Sequence, residues 1–309
     1  METLTGLFSD AQAWAFETLL QPLMFALGLG GRLEDGFHAT GWLLVGLLQL
    51  LVMVALIAPL QRWRPVELQS DRAAIRVDVL YTLIHRLGLF PLVMFFSLEP
   101  LLDDLFGWGR VAGLPTFHLD DVWPGVTDGP WVSLIVYLIA FDLVNYLVHR
   151  AQHQFNWWWK LHALHHSQQQ MTMWSDNRNH LLDDVLRDVI IAVVALAIGI
   201  APGQFVAVVA ITQLFENLQH ANVRMCFGTV GERLWISPRF HRVHHSVHAD
   251  RQGANFGVLL PWWDMLFRTA DFELKYEPTG VRDQVEQGVD YGRGFWAQQW
   301  LGLQRLVTR

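Results

Sequence analysis

Three short histidine motifs constrain this chain more than any other feature. His149-Arg-Ala-Gln-His153 is an HxxxH, and His162-Ala-Leu-His165-His166 and His241-Arg-Val-His244-His245 are two copies of HxxHH. On a helix, positions i, i+3 and i+4 share a face, so each motif is expected to point its imidazoles into one patch. Two isolated histidines on a helix face are, in most chains, ordinary polar residues. Eight of them in three short motifs need something cationic to gather them, because neutral rings gain little from one another and protonated rings repel. A single zinc ion usually takes four ligands. Eight therefore point to two metals.

The solvent for such a site is set by composition. Of 309 residues, 52% are hydrophobic and only 17% charged, with fifteen tryptophans, a balance that suits a bilayer better than water. The net charge of −7 leaves no basic stripe for phosphates, so nucleic acid is excluded as a partner. Cys226 is the sole cysteine, which rules out an intrachain disulfide and a thiolate cluster for zinc or iron–sulfur. Met1-Glu-Thr-Leu-Thr-Gly6 lacks a basic region, so no cleaved signal peptide is expected and insertion falls to internal apolar spans.

Residues 12–30 are apolar but carry Glu17 and Pro22, and suit either a first transmembrane helix or one lying in the interface. Residues 41–60 are uncharged and about 30 Å long at ~1.5 Å per residue, the length of a span. Arg62, Arg64, Arg72 and Arg76 follow, which puts 61–78 in the cytoplasm by the positive-inside rule. Residues 79–101 read as the next span, kinked or ended by Pro91 and Pro100, with Arg86 snorkelling to the headgroups. The acidic loop 102–130 belongs on the far side, and 131–148 return to the cytoplasm, where His149 emerges.

Residues 189–219 decide the topology. Pro202-Gly203 divides them into halves of about a dozen residues, roughly 18–20 Å each and short of the bilayer core. A hairpin that enters and leaves on one face is expected, and a shared metal site requires it. Trp157-Trp158-Trp159 and Trp262-Trp263 suit either interfacial anchoring or packing within a cytoplasmic cap over 221–309. The expected fold is all-α: an integral membrane helical bundle with a re-entrant helical hairpin and a cytoplasmic histidine-rich cap. Its parts are N-terminal spans (1–130), a catalytic region (131–270) and a C-terminal cytoplasmic tail (271–309).

His149-x3-His153, His162-x2-His165-His166-Ser167, Arg178-Asn-His180, His220-Ala-Asn222 and His241-x2-His244-His245 occur in an order that resembles the fatty acid hydroxylase/sterol desaturase superfamily. Asn255-Phe-Gly257 and Trp263-Asp264-Met-Leu-Phe267-Arg-Thr269 resemble its bacterial members. The resemblance covers roughly residues 131–270. It implies an integral-membrane, non-haem di-iron oxidoreductase that hydroxylates or desaturates lipids with dioxygen. It implies ten ligands: His149, His153, His162, His165, His166, His180, His220, His241, His244 and His245. Members tend to carry Glu three residues after the His180 position, where this chain has Asp183.

Read from the residues alone, His38, His85, His118 and His248 belong to no motif and are expected to be non-ligands. Asp142 lies within an apolar span seven residues before His149, on the same helix face. A carboxylate there costs roughly 2.5–3.5 kcal/mol on insertion scales and needs a partner. It either orients a ligand imidazole or pairs structurally with Asn145 or an arginine. Asn222, Asp176 and Asp183 are candidates of the same kind.

Neither a GxGxxG fingerprint nor a cysteine cluster is present, so electrons are expected from a separate reductase or ferredoxin-like donor. The expected substrate is a fatty acyl chain or sterol-like lipid drawn from the bilayer. The expected location is a bacterial inner membrane, with the active site on its cytoplasmic face. Two other classes would use such histidines: a haem-binding or metal-transport membrane protein, and a zinc-dependent membrane hydrolase, which needs about three ligands and a catalytic Glu.

Overall fold

A computed structural model describes residues 2–113, 117–248, 253–273 and 275–308. Among these the chain is all-α, with one isolated antiparallel bridge between Ser246 and Thr279. The helices in order are α1 Glu2–Ala15, α2 Gln21–Ala26, α3 Leu33–Val52, α4 Ala58–Trp63, α5 Arg72–Arg86, α6 Leu89–Val111, α7 Pro130–Gln154 and α8 Asn156–His166. Then follow α9 Leu181–Ile198, α10 Pro202–Gln219, α11 Gly228–Gly231, α12 Pro238–His244, α13 Trp262–Phe267, α14 Arg282–Gln287 and α15 Phe295–Val307. Two helical stretches, Gly30–Trp63 and Pro130–Gln154, are long and apolar enough to cross a membrane, where the sequence places the spans 41–60 and 131–148.

The chain divides into two compact units. The first holds residues 1–51 and 83–112. Here α3 accepts close neighbours: a Cβ on Gly46 would collide with the Arg86 carbonyl, so only glycine fits. Gln12 Nε2 donates to the Phe37 carbonyl at 2.8 Å. The expected continuous span 79–101 is not one helix. It breaks at Leu87-Gly88, where Gly88 takes φ +83°, a conformation glycine adopts without steric cost. Arg86, expected to snorkel, is instead buried. The side chains of Pro91 and Pro100 lie outside the described residues, and the expected loop from 102 is helical to Val111.

The second unit holds residues 52–82 and 113–309. Its axis is α7, begun by Pro130 at a position that needs no N–H donor. α9 ends at Gly199 (φ +68°) and Pro202 starts α10, a glycine stop followed by a proline start. Each of these helices has 18 residues, or about 27 Å, longer than the dozen expected, because polar turns extend both outer ends toward the histidines. The turn between them packs against the start of α7: Tyr137 Oη donates to the Ile198 carbonyl at 3.2 Å, and Tyr137, Phe141 and Val208 share a core. The outer ends of α9 and α10 thus lie toward the other end of α7, where Asp183, Gln219 and His149 line one cavity.

Residues 271–308, expected as a tail, pack back on the unit. Val281 and Tyr291 form a core with Ala163, and Gln299 of α15 donates to Tyr81 Oη at 2.9 Å. A buried ion pair, Arg178 Nη1 to Asp78 Oδ1 at 2.6 Å, ties the segment before α9 to α5. Gln168 and Ser175 also donate to Asp78, which satisfies its remaining acceptor capacity.

Candidate metal centre

Three helices, α7, α8 and α12, and the end of α10 bring nine imidazoles together. The ligand atoms of His149, His153, His162 and His166 lie within 4.8 Å of one another, as do those of His165, His220, His241 and His245. His166, His244 and His245 form a third such set that joins the two. The rings of each HxxHH motif lie 4.8–5.5 Å apart in this cluster, but within it their ligand atoms divide. Neighbouring positions on a helix differ by about 100°, while i and i+4 differ by about 40°. Accordingly His162 and His166 stay together and His165 turns to the other group; likewise His241 and His245 stay together, while His244 stands with His245 and His166.

The ring nitrogens reveal how the groups are aimed. Nε2 of His149, His153, His162, His166 and His244 is buried without a hydrogen-bond partner. Three of these rings are held from behind at Nδ1: His149 by the Phe256 carbonyl at 2.9 Å, His162 by Asp183 Oδ2 at 3.0 Å and His244 by the Ala254 carbonyl at 2.8 Å. An acceptor at Nδ1 fixes the proton there and leaves Nε2 as a lone-pair donor. In the second group, Nε2 of His220 lies 3.1 Å from that of His165 and 3.0 Å from that of His241. His245 Nε2 lies 3.1 Å from His241 Nε2. Ligands at a metal–nitrogen bond of about 2.1 Å are separated by about 3 Å, so these spacings fit nitrogens that would hold one ion. Burial holds the imidazoles of His165, His166, His241 and His245 well below their ordinary pKa, and that of His244 is pushed down to about 3. They are neutral, the form that binds metal.

Supporting residues divide sharply. Asp183, at the start of α9, accepts from His162 through one oxygen and from Gln152 (2.7 Å) and Trp158 Nε1 (2.6 Å) through the other. Burial pushes its carboxyl up, but the three donors outweigh that and hold it below the usual carboxylate range. A carboxylate one methylene shorter than glutamate therefore still reaches its histidine. Asp176 Oδ1 stands 3.5 Å from His220 Nδ1, which is also 2.8 Å from the Glu216 carbonyl.

Asp142 and Asn222 touch no imidazole. Asp142 accepts from the backbone N–H of Leu259 (2.7 Å) and Leu260 (3.1 Å) and from Trp263 Nε1 (3.0 Å). It ties α7 to the segment whose Phe256 carbonyl positions His149, and neither Asn145 nor an arginine is its partner. Asn222 grips the backbone of Val66 and Glu67.

His180, expected among the ligands, is placed elsewhere. Its Nδ1 accepts from the Leu182 N–H at 3.1 Å and caps α9, and its Nε2 lies 2.9 Å from the Gln299 carbonyl. Gly302 of α15 fits directly over the ring, where a Cβ would clash. Both nitrogens are spent. His38, His85, His118 and His248 join neither group among the described residues; His118 Nδ1 instead meets the Gly199 carbonyl at 3.0 Å, at the turn of the hairpin.

Sequence reasoning missed the backbone supports. Asp264 accepts from the N–H groups of Phe256 and Gly257, and a Cβ on Gly257 would strike that carboxylate. Asn255, at φ +60°, donates to the Phe240 carbonyl. Through these contacts Asn255, Gly257 and Asp264 shape the loop whose carbonyls hold His149 and His244. The tryptophans also divide. Trp158 is buried on Asp183 and Trp263 reaches Asp142, while Trp157 is half exposed.

Comparison with known proteins places this geometry. Residues 134–269 match the family model described as fatty acid hydroxylase. The ornithine lipid hydroxylase OlsE of Rhizobium tropici is 26% identical over 266 residues, 82% of this chain and 75% of that protein. Alkylglycerol monooxygenases are similar over a shorter stretch: that of Caenorhabditis elegans is 28% identical over 151 residues (49% of this chain, 29% of that protein). The human one is 27% identical over 146 residues (47% and 32%). The chain thus spans about a third of the length of those monooxygenases. No solved structure matches. Nine converging imidazoles, the order of their motifs and these relatives agree: residues 134–269 match a fatty acid hydroxylase domain, and the relatives are consistent with the hydroxylase/desaturase superfamily.

Proposed function

We propose that this chain is a membrane-bound, non-haem di-iron oxidoreductase that uses dioxygen to hydroxylate a lipid, with desaturation as the related outcome. The observation that carries the reading is the pair of four-histidine groups, one with four buried Nε2 atoms that have no hydrogen-bond partner and the other with Nε2 atoms that meet only one another at 3.0–3.1 Å. Imidazole suits iron, zinc, copper or nickel, so the number of ligands and the company of lipid hydroxylases select iron. A pair of irons would supply the activation of dioxygen needed to remove hydrogen from an unactivated C–H bond.

The chain's own part is positional. His149, His153, His162, His166 and His244 would hold one ion and His165, His220, His241 and His245 the other, with His166 and His245 in contact between them. Asp183 and the carbonyls of Ala254 and Phe256 keep three rings in the ligating tautomer. Hydroxylation is favoured because the relatives named above are hydroxylases and monooxygenases.

The hairpin of α9 and α10 enters and leaves one face of the membrane, the cytoplasmic face of a bacterial inner membrane, so that lipid reaches the centre from the leaflet. Electrons come from a separate reductase or ferredoxin-like donor. The haem alternative is disfavoured by neighbouring ring centroids only 4.2–6.5 Å apart within and between the groups, which leave no slot for a macrocycle. The zinc hydrolase alternative needs one metal and about three ligands, fewer than are gathered here.

Lipid extracts of a deletion strain and of wild type grown under labelled dioxygen test the proposal. A lipid that carries one labelled oxygen in wild type and is missing in the deletion supports it. Lipid profiles without any dioxygen-dependent difference of one oxygen or two hydrogens overturn it.

A further inference from the structure

The cavity beside the metal centre has two walls of different character. One is imidazole, from His149, His162, His165, His220 and His241. Also lining the cavity are Asn145 of α7, Asp184 and Arg187 of α9, and Glu216 and Gln219 of α10, with only Val148 and Val258 apolar. The cavity also contains Asp183 and Asp176, whose positions are accounted for by His162 and His220. The second wall is polar beyond what holding metal requires. A channel for the middle of a hydrocarbon chain would be apolar next to the metal, and this one is not.

Gln219 shows that the wall expects an occupant. It is 1% exposed and its Nε2 donates to the Val258 carbonyl at 2.6 Å, but its Oε1 is buried with no hydrogen-bond partner. An acceptor left so costs about 1–3 kcal/mol unless a donor arrives. Arg187 and Asp188, at 32% and 37% side-chain exposure, mark where the wall meets the surroundings. Arg187 is surrounded by the carboxylates of Asp188, Glu216, Asp184 and Asp176, so acceptors and negative charge outnumber the single guanidinium. Arg187 also lies one helical turn, about 6 Å, beyond Asp183, which itself touches a metal-facing ring.

Resting on the lipid-oxidation reading, we infer that Asp184, Arg187, Glu216 and Gln219 form a head-group subsite for an amphiphile whose polar end donates hydrogen bonds, an ammonium or a hydroxyl. A phosphate would bring charge of the wrong sign to this wall. The carbon presented to the metal centre then lies within a few bonds of the head, and the tail trails along the apolar stretches of α7, α9 and α10.

The test is equilibrium binding to the full chain in nanodiscs of neutral lipid, using three single-chain probes of equal length: dodecylamine, monolauroylglycerol and dodecyl phosphate. Metal per chain is measured on each sample. The expected result is amine and glycerol probes binding at least tenfold more tightly than the phosphate. Glu216→Gln should lose most of the amine preference, and Gln219→Leu should weaken both favoured probes, with metal content unchanged in each. Equal binding of all three probes, or variants that bind like wild type, overturns the subsite. So does parallel loss of metal and binding in both variants, since the side chains would then belong to the metal centre. Because binding is read without turnover, a wild type that lacks iron yet shows the preference sinks the proposed function and leaves the subsite standing.

Discussion

Replacing Asp183 by asparagine should weaken one metal position and spare the other. Asp183 Oδ1 accepts from Gln152 and Trp158 and Oδ2 accepts from His162 Nδ1, so all three neighbours donate. Asparagine keeps the shape but converts one oxygen into a donor. If the amide nitrogen faces His162, the ring must accept at Nδ1, its proton moves to Nε2 and it can no longer ligate. If the nitrogen faces Gln152 and Trp158, two buried donors lose their acceptor. Both outcomes lose hydrogen bonds to a charged group. Loss of such a support costs roughly 10–100-fold in metal affinity, or about 1.4–2.7 kcal/mol. The effect should fall on the group holding His162, because His165, His220, His241 and His245 do not use Asp183. The assay is iron per chain after dialysis against graded chelator. The variant should drop from about two irons to about one at a chelator activity roughly 10–100-fold lower than wild type requires. A wild-type curve, or loss of both irons in a single step, refutes the assignment of Asp183 to one group.

His180→Ala should leave metal content unchanged while lowering the thermal midpoint, since it removes a helix cap worth about 0.5–2 kcal/mol; a metal deficit would return His180 to the ligand set. Metal-free protein should lose stability as pH falls below about 6.5, the ordinary histidine value. The native imidazoles of His165, His166, His241, His244 and His245 are held below it and the unfolded chain takes up protons first, so stability is present above that pH and declines toward the folded value of about 3 at His244. Denaturant midpoints that are equal at neutral and mildly acidic pH would contradict burial of neutral rings. Reporter fusions after residues 170 and 230 should both report cytoplasm, and opposite signals would break the hairpin topology.

The histidine pattern was the most legible part of the molecule, because i, i+4 spacing is a geometric instruction that tertiary packing did not override. The pairs 149/153, 162/166 and 241/245 stayed together. What the pattern hid was the i+3 member of each HxxHH, since His165 joins the group its own i, i+4 pair does not, and His244 stands with His166 and His245 where the two groups meet. His180 misled for a related reason: a histidine just before a helix serves a cap as readily as a metal, and nothing local separates the two. A carboxylate in an apolar span signals that Asp142 needs partners, but the backbone N–H groups at Leu259 and Leu260 that serve it leave no trace in residue type. The break at Leu87-Gly88 was signalled only by a glycine inside an apolar run, a weaker cue than the hydropathy around it.

The central claim is that nine imidazoles hold two irons. Iron, zinc and haem analysis of the intact chain purified in lipid tests it most directly, read beside the same measurement on His162→Ala and His241→Ala, one from each group. The account predicts about two irons per chain in wild type, no haem absorbance, and a loss confined first to the affected group in each variant. One zinc per chain, a Soret band, or iron indifferent to both substitutions would contradict it.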